Sequence, residues 1–102
     1  MSEKPENADE QFLLRADAHI HLANEQLKEA TRDKVCASIM FAAARFDAWT
    51  NACDAQTLEQ MTAHREEAIS YFVDQYRLML NHHFDDYSAN FGKYMGGGDA
   101  AG

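Results

Sequence analysis

An all-α fold is what this sequence predicts, on three observations. The single proline is Pro5 and all five glycines, Gly92, Gly96, Gly97, Gly98 and Gly102, lie at or beyond position 92, so residues 6–91 contain no strong helix breaker. That stretch is rich in Ala, Leu, Glu, Gln, Met, Arg and Lys, whose side chains lose little rotamer freedom in a helix. Valine and isoleucine, the best strand formers, number only five in the whole chain. The architecture expected is a small antiparallel bundle of three helices, the third of them long.

The first helix is expected to start at a capping box, with Asn7 accepting from a free amide of the first turn and Glu10 reaching back. Phe12, Leu13, Ala16, Ile20, Ala23, Leu27 and Ala30 recur at three and four residues and form one stripe, and the helix is expected to end near Ala30. Thr31, Arg32 and Asp33 form a short connection, with Asp33 as the cap of the next helix. A loop this short makes the two helices antiparallel neighbours.

The second helix, about 34–53, carries Val35, Cys36, Ile39, Met40, Ala43, Phe46, Trp49 and Cys53 at helical spacing. Its alanines at 42, 43 and 44 would let a neighbouring backbone approach, while Phe46 and Trp49 supply bulk to the core. Asp54 to Gln56 reads as a turn, and Thr57 with Gln60 is a second capping box that opens the third helix at Leu58.

From Leu58 the helical pattern continues to Tyr94, which at 35 or more residues would extend above about 50 Å, against about 30 Å for each of the other two helices. Seven of the eleven aromatics, Tyr71, Phe72, Tyr76, Phe84, Tyr87, Phe91 and Tyr94, lie along its second half, so the shorter helices leave an apolar stripe bare. Two arrangements cover it. The helix breaks at Asn81, His82 and His83, with Asp85 capping a fourth helix that folds back, or it stays straight and meets its own copy as a homodimer. The dimer is preferred, because neither Pro nor Gly marks a break.

The 102 residues carry a formal charge of -8, with 46% hydrophobic and 25% charged residues, which fits one small folded domain over 7–95 between disordered ends 1–6 and 96–102. A sequence pI near 4.9 leaves little basic surface for phosphates, so neither a nucleic acid nor an anionic membrane is an expected partner. No apolar run reaches about 18 residues, and the acidic start lacks the pattern of a secretion signal, so a cytoplasmic protein is expected. The acidic excess is spread along the chain, unlike that of a nucleic-acid mimic.

Candidate chemistry is sparse. Cys36 and Cys53 on one helix would sit about 25 Å apart, beyond disulfide reach, and are expected as two small buried thiols. His19 and His21 point about 200° apart on a helix and do not chelate together. Asp17 with His21, and His82 with Asp86, share a face at four-residue spacing and read as polar-face pairs ahead of metal ligands. His64 beside Arg65, Glu66 and Glu67 reads as a solvated face. No Glu-x-x-His, phosphate loop or matched nucleophile and base occurs, so no catalytic residue, metal ligand or cofactor is assigned. The residues singled out for a partner or ligand surface are Trp49, Tyr76, Arg77, Tyr87 and Phe91, because Tyr, Trp and Arg are the residues that anchor binding surfaces.

The words Arg15-Ala16-Asp17, Leu22-Ala23-Asn24-Glu25-Gln26, Ala43-Ala44-Arg45-Phe46 with Trp49, Tyr71-Phe72-Val73-Asp74-Gln75-Tyr76-Arg77 and Asp85-Asp86-Tyr87 carry a likeness over roughly residues 10–95. They resemble a family of short bacterial helical proteins, domain of unknown function 3144. The resemblance implies a bacterial, mostly helical, soluble protein and brings no activity, cofactor or catalytic residue. The expected function is therefore a non-catalytic acidic module that binds another protein and pairs with itself through the third helix. The alternative is a small-molecule or metal-binding protein or enzyme with its site between the second and third helices, near Trp49, Tyr76 and Arg77.

Overall fold

The computed structural model describes residues 5–96, all of whose regular structure is helical. Five helices follow one another: α1 Pro5–Gln26, α2 Arg32–Asp54, α3 Leu58–Ala63, α4 Arg65–Ala89 and α5 Phe91–Met95. The chain divides into two units, the first running to Ile39 and the second starting at Met40.

In the first unit, α1 begins at Pro5, so Asn7 lies inside the helix and does not cap it. Proline suits a first helical position, where its missing N–H would have had no intrahelical partner. Residues 1–4 of the expected disordered end lie outside the described residues, as do 97–102 of the tail. The helix stops at Gln26 instead of Ala30, because the next turn tightens: Lys28 N donates to Glu25 O at 3.2 Å and Glu29 N to Gln26 O at 3.0 Å. An exposed ion pair from Lys28 Nζ to Glu25 Oε1, 3.1 Å, spans the same turn. At the start of α2 the cap is Thr31, whose Oγ1 accepts from Lys34 N at 3.4 Å, while Asp33 falls in the first helical turn, where its charge suits the helix dipole. Val35 in that turn, 6% exposed, is the buried hydrophobic residue among those described.

In the second unit, Thr57 caps α3 as expected, its Oγ1 accepting from Gln60 N at 3.1 Å. The Gln60 side chain reaches back to Gln56 N at 2.8 Å, one residue before the cap. The expected long third helix is divided at two single residues. His64, at φ -97 and ψ 3, separates α3 from α4, and Asn90, at φ -123 and ψ 31, separates α4 from α5.

Each junction interrupts the backbone ladder, although the junction residue itself keeps both of its bonds. His64 N donates to Gln60 O at 3.2 Å and its carbonyl accepts from Ala68 N at 3.0 Å; Asn90 N donates to Asp86 O and its carbonyl accepts from Tyr94 N, both at 3.0 Å. At Asn90 the side chain competes for the same carbonyl, Nδ2 donating to Asp86 O at 3.0 Å, which turns the chain out of helical geometry just before Gly92. The break considered at 81–83 is absent, since α4 runs through Asn81, His82 and His83. Their modest propensities cost about 0.7 kcal/mol each at most, and none of them removes a hydrogen bond.

Two further expectations are corrected. Cys36 and Cys53 are free but exposed, not buried. Phe46 and Trp49, expected in the core, are 61% and 58% exposed and lie against each other with ring centroids 5.5 Å apart. The reason is rotational: on α2 they point about 120° and 180° away from the face that carries Met40, Ala44, Asp47 and Asn51.

Candidate functional site

That face of α2 forms one wall of a cleft of about 820 Å³ that lies wholly within the second unit. Met40, Ala43, Ala44 and Ala48 come from α2, Leu58 and Met61 from α3. Ala68, Ile69, Phe72, Val73 and Tyr76 come from α4. The walls are built from the small and apolar residues that helical periodicity puts on one side of each helix. The alanines that would have let a backbone approach instead line the open space, and the closest backbone approach within this unit is between consecutive elements, α3 to α4 and α4 to α5.

The lining is mostly apolar, but Asp47 stands in the α2 wall, and Asp54, His64 and Arg65 reach one end of the cleft. Beside that end lies a smaller hollow of about 460 Å³ lined by Thr50, Asp54, His64, Glu67 and Tyr71. These charges belong to solvent: His64 Nδ1 stands 3.9 Å from Glu67 Oε1 and Arg65 Nε 3.6 Å from Glu66 Oε2, all on exposed side chains. At the base of the hollow the polar groups of α2 are internally satisfied, Thr50 Oγ1 donating to Asp47 O at 2.7 Å and Asn51 Nδ2 to the same carbonyl at 3.3 Å.

Of the residues singled out from the sequence, Tyr76 lines the cleft; Trp49 and Arg77 do not. Tyr87 and Phe91 lie further along. Tyr87 is half-buried against Tyr94, ring centroids 4.8 Å apart, and Phe91 is 66% exposed on α5. The apolar stripe that enters the cleft at Ile69, Val73 and Tyr76 continues on the same side of α4 through Leu80 and Phe84 beyond the cleft's end. Leu80 is 39% and Phe84 68% exposed, and Met79 beside them 47%.

The sequence reading missed a polar knot at the α4–α5 junction. Asp86 accepts from Asn90 Nδ2 at 2.9 Å on one carboxylate oxygen and from the Tyr94 hydroxyl at 3.0 Å on the other. His82 makes no hydrogen bond or ion pair with Asp86 and sets its ring edge-on to His83, 5.0 Å between centroids. The Asp86, Asn90, Tyr94 spacing of four residues was the available signal. The hydrogen bond to the Asp86 carboxylate, and then its negative charge, hold the Tyr94 phenol protonated above its ordinary range. Lys93 Nζ lies 5.8 Å from the centre of the Tyr94 ring.

Among the described residues no group of three or more His, Cys, Asp or Glu side chains is gathered to hold a metal ion, and no helix is long and apolar enough to cross a membrane. Neither a curated protein nor a solved structure matches the chain. A family model, described as "Protein of unknown function (DUF3144)", matches residues 12–88, a span that holds the cleft and the stripe of α4 but stops short of Asn90 and Tyr94. With three quarters of its length so matched, the chain belongs to that family of unknown function, DUF3144.

Proposed function

We propose that this protein is a non-catalytic helical interaction module that works as a homodimer, with the dimer completing the antiparallel bundle that the second unit leaves open. The observation that carries the reading is the apolar stripe of α4, which passes out of the cleft and continues through Leu80 and Phe84, 39% and 68% exposed. Each large apolar side chain left in water forgoes about 1.5–3 kcal/mol relative to full burial, so a face of this length favours a partner. Self-association is the simplest way to supply one, because a twofold contact needs a single self-complementary surface.

Sedimentation equilibrium over a dilution series tests it. A mass near twice 11.5 kDa at micromolar concentration supports the dimer, and a mass of 11.5 kDa that does not change with dilution removes it.

A second reading has one specific observation behind it: the cleft's volume of about 820 Å³ lies in the range of about 300–1,000 Å³ that holds small molecules, and its lining is largely apolar. An apolar metabolite in the cleft would raise the melting temperature by mass action. A library of such compounds that leaves the melting temperature unmoved excludes tight binding at the concentrations used.

A further inference from the structure

We propose that the two copies meet through antiparallel α4 helices, each laying its Met79–Ala89 end into the other's cleft; the assignment rests on the dimer reading above. Three features of the second unit point to a second copy as the occupant.

Stripe and cleft are one continuous surface. Taking a helical rotation of about 100° per residue, Ile69, Val73, Tyr76, Leu80 and Tyr87 fall within about 40° of one line down α4. The first three line the cleft and the rest run past it, so a helix with the same stripe is what the cleft is shaped to meet.

Lengths also correspond. The α2 wall from Met40 to Asp54 runs about 21 Å, and the part of α4 beyond Tyr76, Arg77 to Ala89, runs about 18 Å. Ala43, Ala44 and Ala48 along that wall leave room for a helix to come close.

Area is the third feature. The exposed parts of Ile69, Val73, Tyr76, Leu80 and Phe84, with those of Met40, Leu58 and Met61 on the facing walls, add up to on the order of 700 Å² at about 150–200 Å² per fully exposed large side chain. A stable interface takes about 800 Å² from each partner.

The twofold fixes a register. Ile69 of one copy faces Tyr87 of the other and Tyr76 faces Leu80, both pairs centred on residue 78, while Val73 faces Phe84 about a centre half a residue further on.

Two variants test this, Val73→Lys and Phe84→Glu, each compared with the unaltered chain by sedimentation. Each alone buries an unpaired charge and is expected to weaken the dimer about a hundredfold or more. Mixed in equal amounts they are expected to form a heterodimer, because only the antiparallel register sets the new lysine of one chain against the new glutamate of the other. An unaltered chain that is monomeric overturns the dimer reading itself. A dimeric unaltered chain with both variants still dimeric leaves that reading standing and overturns the surface assigned here. Two monomeric variants that stay monomeric when mixed overturn the antiparallel register. Where the single variants lose helix along with the contact, recovery of the circular-dichroism amplitude on mixing reads the same outcome, and Tyr76→Glu with Leu80→Lys repeats the test at the next mirrored pair.

Discussion

The hydroxyl of Tyr94 donates to Oδ2 of Asp86 at 3.0 Å, joining α5 to the helix before it across the Asn90 junction. Asp86 is thus the shared acceptor for the side chains four and eight residues further on. A bond that exists only while the phenol keeps its proton ties this junction to alkaline pH.

The titration should show it. The Asp86 carboxylate favours the protonated phenol, so the folded Tyr94 ionises above the ordinary tyrosine value of about 10. Stability gained from the bond is therefore fully present below about pH 10 and is lost as pH rises through the raised value. Phenolate absorbance is expected to show a late component above the ordinary tyrosine range, and Tyr94→Phe should remove it. Asp86→Asn should bring it back toward the ordinary range. A late component that persists in Tyr94→Phe would assign it elsewhere.

Thr57→Ala should cost about 1 kcal/mol, because the amide of Gln60 loses its acceptor at the start of a helix too short to hold itself together. On a chain of this size that corresponds to a fall in melting temperature of about 4–8 °C. Thr57→Ser keeps the acceptor and should fall by much less; equal losses in both would show that the methyl group, not the cap, matters.

Gly92 lies in α5 with open space around the position a Cβ would take. Gly92→Ala should therefore stabilise the chain, by about 0.5–1 kcal/mol, through the backbone freedom that glycine loses on folding. Thermal denaturation followed by circular dichroism measures it, and a lower melting temperature would contradict the open surroundings.

Amide hydrogen exchange should be slow and even through Asn81, His82 and His83, which sit in the middle of α4. Fast exchange confined to those three amides would restore the fold-back that the continuous helix excludes.

The parts of the fold that were legible in the sequence are those decided by neighbours in the chain. Thr57 and Gln60 announce a helix start because the hydrogen bonds of a capping box span only three residues. The stripe of α4 was legible for the same reason, its period being that of the helix.

What was not legible depends on a choice between nearly equal local states, or on the rest of the fold. His64 and Asn90 each leave helical geometry while keeping their backbone bonds, and at Asn90 a side-chain amide reaching back to Asp86 O tips the balance. Asn81 to His83, no better as helix formers, make no such side-chain bond to the backbone among the described residues, and α4 runs on through them. In α2 apolar residues occur nearly all round, so periodicity did not say that Met40 and Ala44 would line the cleft while Phe46 and Trp49 faced away. Tyr76 was found as a site residue through its type; Met61 and Ile69 were not, because nothing in an apolar helical position marks a cleft wall from a core.

His64 gives the cleft a pivot. The short α3 carries Leu58 and Met61 on one wall, and it is hung from α4 by a single residue whose two backbone bonds are already made with non-helical torsions. A change in the angle between α3 and α4 is therefore carried by that one φ, ψ pair, and the width of the cleft at Leu58 and Met61 depends on it.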